Sequence, residues 1–166
     1  MTAESSQFAE AHRPPPSSKP VARLSSRDFR FRHRLRVRWA EVDRQNIVFN
    51  GHYLTYFDIA MTEYLRTLGF PYPEGLLEAG SDLFVVKATL EYTASAHYDQ
   101  EIDIHCRVAR IGRSSIQFLF ELYRDDDLLV TGENIYVNAD PKSKQSAPVP
   151  EVLRGAIKRF EQVDPN

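Results

Sequence analysis

Residues His52 to Leu68 run without glycine or proline, and almost every side of the segment is apolar. Its polar residues fall mostly in one narrow stripe, Thr55, Asp58, Thr62 and Arg66, at steps of three or four. That is helical periodicity with a very wide apolar face, so something must wrap the helix. Gly69 supplies the stop signal, and Pro71 and Pro73 follow it. A helix of this length spans about 25 Å at 1.5 Å per residue. Strands of about ten residues cover the same distance, so a curved antiparallel sheet is the natural sleeve.

The rest of the chain supplies such strands. Phe31, His33, Leu35, Val37 and Trp39 alternate with Arg32, Arg34, Arg36 and Arg38, a period of two with one buried face. The arginine row reads either as a solvated or subunit-facing surface or as a phosphate-binding ribbon. Leu83 to Tyr92 is expected to bury Val86, Ala88 and Leu90 on one face. Glu101 to Ile111 alternates Ile102, Ile104, Cys106 and Val108 against polar residues, and Ser114 to Arg124 does the same with Ile116, Phe118, Phe120 and Leu122. Leu128 to Asn138 offers Leu129, Ile135 and Val137. Gly112-Arg113 and Asp125-Asp126-Asp127 have hairpin-turn compositions. Residues 70–82 and 139–150 read as loops, and Glu151 to Val163 as a closing helix with Leu153, Ile157 and Phe160 inward. The fold class is therefore α+β, a long central helix wrapped by a curved antiparallel sheet of about five strands.

Residues 1–27, with Pro14, Pro15, Pro16, Ser17 and Ser18, are too polar to offset the entropy of ordering and are expected to be a disordered tail. Residues 28–166 form one domain, as a chain of 166 residues that is 42% hydrophobic allows. The net charge of −2 gives no overall pull toward nucleic acid or an anionic membrane. The single cysteine, Cys106, cannot form an internal disulfide and reads as a small buried hydrophobe. No apolar run approaches the roughly 20 residues a membrane span needs, and no secretory signal opens the chain. A cytoplasmic protein is expected. The five histidines show no metal-ligand spacing, so neither a metal nor a cofactor is expected.

Three stretches carry a family resemblance. The most specific is Val37-Arg38-Trp39-Ala40-Glu41-Val42-Asp43, followed by Ile47-Val48-Phe49-Asn50-Gly51-His52-Tyr53-Leu54 and then Thr55-Tyr56-Phe57-Asp58. The second is Tyr92 with Asp99 downstream, then Val108 through Ser115, and the third is Gly132 leading to Val137-Asn138-Ala139-Asp140. In order and spacing these resemble hot-dog-fold acyl-CoA thioesterases of the 4-hydroxybenzoyl-CoA thioesterase-like family. Two positions depart from the family pattern: Asn46 stands where glycine is common, and Ser95 where proline is common. Asn tolerates left-handed backbone better than most residues, so the turn survives the first change.

Thioester hydrolysis needs a group that attacks or activates water, and donors that stabilise negative charge on the carbonyl oxygen. Asn50 is a favoured N-cap type just before the helical run. The first N–H groups of the helix, around Asn50 and Gly51, have no internal partner and lie at the positive end of its dipole. The resemblance carries the family's catalytic carboxylate onto Asp43, as nucleophile or general base; residue type alone reads Asp43 equally as a turn former. Glu41 is the reserve carboxylate, and Asp58 faces the site, a subunit boundary or a structural partner. His52, in the first helical turn, is a minor candidate because a positive charge is disfavoured there. Phe49, Tyr53 and Tyr56, near the helix start, are candidates to line an acyl pocket or equally to belong to the core. Arg110, Arg113, Ser114 and Ser115 cluster at one turn, where similar enzymes contact the nucleotide end of CoA; ordinary solvated turn residues are the alternative. The resemblance also implies a homodimer or homotetramer with sites between subunits. The other functional class kept open is a non-catalytic acyl-thioester binding domain on the same fold; a nucleic-acid binder is disfavoured by the charge.

Overall fold

The computed structural model of the protein describes residues 28–165; the expected N-terminal tail lies outside the described residues. Five strands form one antiparallel sheet: β1 (Phe31–Arg36), β2 (Asp82–Tyr92), β3 (Glu101–Ile111), β4 (Ser115–Arg124) and β5 (Asp127–Ala139), in the order β1-β3-β4-β5-β2. Helix α1 (His52–Thr67) lies in the concave face, a short α2 (Glu74–Glu78) follows, and α3 (Glu151–Phe160) closes the chain. The expected hot-dog architecture is what forms.

The wide apolar face of α1 explains the packing. Tyr56, Phe57, Ala60, Tyr64 and Leu65 are all fully buried against Ile104, Cys106, Val108, Phe118, Phe120 and Leu122 of the sheet. Phe57 stacks on Phe120 with ring centroids 4.5 Å apart. A Cβ at Gly132 would stand 2.2 Å from the Phe57 ring, so this strand position must lack a side chain for the helix to seat. Gly69 ends the helix at φ 91°, with the Gly69 N–H on Arg66 O and the Phe70 N–H on Leu65 O, the paired bonds of a Schellman cap. Cys106 is wholly buried, and burial pushes its thiol well up.

Four expectations fail locally. Leu76 draws part of the expected 70–82 loop into α2, since it is buried while the residues around it are not. In β2, Val86 is 62% exposed, Ala88 is exposed and Leu90 only half-buried. The reason is position: β2 is a free edge, and a register shift between Val85 and Lys87 interrupts its alternation. In β5, Leu129 is buried, but Ile135 and Val137 are half-buried, and the helix-facing row carries Asn134, Tyr136 and Asn138. A register shift near Leu122/Tyr123 offsets the alternation there. The closing helix keeps Leu153 and Ile157 fully buried but ends at Phe160, so Glu161 is already extended.

The arginine row of β1 is matched by an acidic row on β3. Arg34 makes two 2.8 Å bonds to Asp103, Arg36 bonds Glu101 at 2.7 Å, and Arg32 lies 3.8 Å from Asp103. These cations are internally neutralised, which removes the phosphate-ribbon reading. Among the described residues no helix is long and apolar enough to cross a membrane.

Candidate active site

Between β1 and α1 the chain makes a hairpin that carries the first half of the site. Phe49 N–H donates to Glu41 O at 2.9 Å, Val42 bridges Val48, and Asp43 N–H donates to Ile47 O at 2.9 Å. The turn at its tip closes through Asn46 N–H to Asp43 O at 3.0 Å, with Asn46 left-handed at φ 61°. The Asp43 carboxylate accepts the Gln45 N–H at 2.7 Å and is half-buried, so one oxygen is used locally and the group still meets solvent.

Glu41 has the opposite character. It is buried and accepts from the Arg38 backbone N–H and guanidinium, each at 2.7 Å, and from the Tyr56 hydroxyl at 2.8 Å. Burial alone would raise its pKa, but these donors together hold the carboxyl below the usual carboxylate range. Its oxygens are consumed in anchoring the hairpin to α1, which leaves Asp43 as the accessible carboxylate of the pair. Asp58 sits on the exposed stripe of α1, within reach of the Tyr136 hydroxyl. The His52 ring lies edge-on to Phe49 at 6.1 Å.

The helix start differs in detail from expectation. Gly51 occupies the N-cap position, and no side chain caps the helix, so Asn50 does not act as the cap. Instead the Asn50 carbonyl accepts the Tyr92 hydroxyl at 3.2 Å and the Tyr53 N–H at 3.4 Å. Asn50 and Gly51 donate their own N–H groups to nothing among the described residues. These N–H groups are therefore free at the positive end of α1, where an oxyanion would be stabilised. Phe49, 52% exposed, borders them, and a Cβ at Gly51 would come within 3.1 Å of its ring. Ile47, opposite Asp43, is three residues before Asn50, a span of roughly 10 Å of extended chain.

Tyr53 takes a core position. It is 2% exposed, its hydroxyl accepts the Ala96 N–H at 3.0 Å, and it offers no open surface to a ligand in this arrangement. Its role is to tie the 93–100 loop to α1. The 112–115 turn is well formed, with Gly112 N–H on Ser115 O at 2.8 Å and Ser114 O accepting Asn138 N–H at 2.7 Å. Arg110 and Arg113 are exposed and unpaired among the described residues. The turn does not meet the helix start, however. It lies beside Leu83, paired to Asn138, whereas Asn50 contacts Tyr92 at the far end of β2. Nine residues of strand separate the two, about 30 Å. Within one chain the 112–115 turn and the start of α1 stand at opposite ends of the sheet.

Sequence reasoning missed His97. Its Nδ1 lies 2.9 Å from Asn46 O, across 51 residues of sequence, and no local motif signals that contact. Among the described residues no group of three His, Cys, Asp or Glu side chains could hold a metal ion.

A helix start with free N–H groups thus stands beside a hairpin carrying an accessible carboxylate, on a sheet of hot-dog architecture. The model of the thioesterase-like superfamily matches residues 37–157, and the chain belongs to that family. It is a thioester hydrolase by that membership. It is 28% identical over 131 residues to the acyl-CoA thioester hydrolase YbgC of Escherichia coli O6:H1, covering 78% of this chain and 96% of that one. Over 96 residues it is 33% identical to the acyl-CoA thioesterase YbgC of Haemophilus influenzae, covering 57% and 70%. The PA5185 protein of Pseudomonas aeruginosa superposes with a TM-score of 0.73 at 25% identity, covering 82% of this chain and 94% of that one.

Proposed function

We propose that the protein hydrolyses acyl-CoA thioesters to free acid and CoA, with Asp43 supplying the nucleophile or the general base. The observation that carries this reading is the pair of free N–H groups at Asn50 and Gly51 beside the Asp43 hairpin. A thioester carbonyl seated there has its oxygen polarised by the N–H groups and its carbon open to attack. As general base, Asp43 takes a proton from water as the new C–O bond forms, and the C–S bond then breaks to release the thiolate. As nucleophile, its oxygen bonds the carbonyl carbon as the C–S bond breaks and the thiolate leaves, and water then cleaves the resulting acyl anhydride to free acid and the restored carboxylate. The resemblance to CoA-hydrolysing relatives supports CoA as the thiol carrier. Arg110 and Arg113, unpaired beside Ser114 and Ser115, supply cations and hydroxyls for its phosphates.

The separation of the two half-sites supports a two-fold assembly. β2 is a free edge whose Val85 and Val86 are 56% and 62% exposed. An unpaired edge with exposed apolar residues is a template for another strand. If two copies pair antiparallel along β2, the Tyr92 end of one meets the Asp82 end of the other. A second copy's 112–115 turn then stands next to the Asn50 helix start, and the site is complete only in the homodimer, alone or within a homotetramer.

A thiol-release assay over aryl, short-chain and medium-chain acyl-CoAs tests the activity. Turnover of at least one class is expected, and binding without release of thiol across the whole panel would reject hydrolysis. Light scattering tests the assembly. The wild type is expected as a dimer or tetramer, and Val85→Asp combined with Val86→Asp is expected to dissociate it and to lower thiol release together. A folded, fully active monomer in that variant would reject the shared site.

A further inference from the structure

We infer that His97 is a positioning residue for the catalytic turn, holding the Asn46 carbonyl so that the Asp43 carboxylate keeps its place; this rests on the Asp43 reading above. The turn at residues 43–47 has few restraints of its own. Its internal bonds are Asp43 N–H to Ile47 O, Asn46 N–H to Asp43 O, and Gln45 N–H to the Asp43 carboxylate. Asn46, at φ 61°, sits in left-handed backbone, which Asn tolerates better than most residues but which contacts around the turn still select over extended alternatives. Asn46 also stands only three residues from Asp43, so a change in its backbone rotates the whole turn.

His97 supplies that support from outside. Its Nδ1 is 2.9 Å from Asn46 O. A carbonyl only accepts, so Nδ1 must carry the proton, and the ring acts as a donor. His97 is itself fixed. Its backbone N–H donates to Gln100 Oε1 at 2.9 Å, and Gln100 O accepts Val37 N–H at 2.9 Å. The residue before it, Ala96, is fully buried; its carbonyl accepts Val48 N–H at 2.9 Å and its N–H donates to the Tyr53 hydroxyl. Residues 96 and 97 thus grip three things at once: the returning arm of the hairpin at Val48, the turn at Asn46, and the first turn of α1 at Tyr53. The Ala96 contacts are buried and hold the fold. The His97 contact is exposed and acts on the turn, so its loss falls on the orientation of Asp43 and not on the core.

The test compares His97→Ala, His97→Asn and Asp43→Asn in the thiol-release assay, with thermal denaturation of each. His97→Ala is expected to lower kcat about tenfold, short of the roughly 10²-fold that gross misplacement costs, with KM changed less than about twofold. The thermal midpoint should stay near that of the wild type. In His97→Asn the side-chain Nδ2 stands as many bonds from Cα as the lost Nδ1 and donates in its place, so most of the rate should return. If His97→Ala stays within about twofold of wild type while Asp43→Asn loses on the order of 10² or more, the positioning role is overturned and the Asp43 reading stands. Wild-type turnover in Asp43→Asn overturns the Asp43 reading, and the role of His97 falls with it. Equal loss in both His97 variants, or a loss that tracks the thermal midpoint, also overturns the proposal, because the hydrogen bond would not be its cause.

Discussion

Asp43→Asn is expected to lower kcat for thiol release by on the order of 10² or more, with the fold intact. The substitution isolates the chemistry. Asn keeps the shape of the side chain and an oxygen that can accept the Gln45 N–H, so the local turn is preserved. It removes the negative charge and the basicity, and with them both proposed roles. The free N–H groups at Asn50 and Gly51 are untouched, so carbonyl polarisation and substrate affinity should persist and KM should move little. Residual activity above the uncatalysed rate is expected from those donors alone. The neighbouring Glu41 does not replace Asp43, because its carboxylate is buried and already bonded to Arg38 and Tyr56. Turnover within about twofold of wild type would remove Asp43 from the mechanism.

How far the sequence led can be judged element by element. The helix at 52–68 was readable because its pattern had one solution: apolar on nearly every face, it needed a sleeve, and strands of matching length stood downstream. Ile102 through Val108 and Ile116 through Leu122 fill that sleeve as their alternation implied. The reading of β2 failed because alternation reports a chemical pattern, and burial depends on which strand lies next. Val86 and Ala88 are apolar at the right period, yet among the described residues no strand pairs with the outer edge of β2.

The site divides along the same line. Asp43, Asn50 and Gly51 are close in sequence, and all three lie on one hairpin and the helix start that follows it, a local arrangement that sequence order alone implies. Asn46 occupies the left-handed backbone that its residue type allowed. The cap was misassigned by one residue because Asn50 uses its carbonyl, held by Tyr92, where its side chain was expected to act. Tyr53 was open to a pocket or a core reading from its place near the helix start, and helical geometry turns it inward onto Ala96. His97 was invisible because its contact with the turn spans 51 residues and depends on the path of the 93–100 loop. The arrangement of Arg110 to Ser115 at the opposite end of the sheet could not be read from spacing either, since chain order says nothing about which ends of a sheet coincide.

Glu161→Ala is expected to be the most destabilising single substitution outside the active site. β1 stops pairing with β3 at Cys106, so the Val108 N–H has no strand partner beyond it. The Glu161 carboxylate fills that gap. One oxygen accepts the Val108 N–H at 2.7 Å and the Tyr64 hydroxyl at 2.6 Å, and the other lies 3.9 Å from the buried Arg107 Nε. Alanine would leave the Val108 N–H and the Tyr64 hydroxyl unpaired in a buried site and take a carboxylate away from Arg107, whose Nη2 keeps its bond to Val163 O, a loss of about 2–6 kcal/mol at about 1–3 kcal/mol per buried donor left unmade. For a domain of this size each kcal/mol lowers the thermal midpoint by about 2–4 °C, so a fall on the order of 10 °C is expected. Glu161→Gln keeps an oxygen for Val108 and should lose less. Burial raises the Glu161 carboxyl above its ordinary 4.5, against the opposing pull of Tyr64, the Val108 N–H and Arg107. The native state therefore binds this proton more tightly than the unfolded chain does. That stabilisation is fully present below about 4.5 and is lost as pH rises through the raised value. The margin of wild type over Glu161→Gln should be widest in acid and narrow toward neutral pH, as urea titrations at several pH values would show. A margin that grows with pH would mean that Arg107 governs the pair, and a Glu161→Ala protein melting within about 2 °C of wild type would mean that the closing segment is not a structural latch.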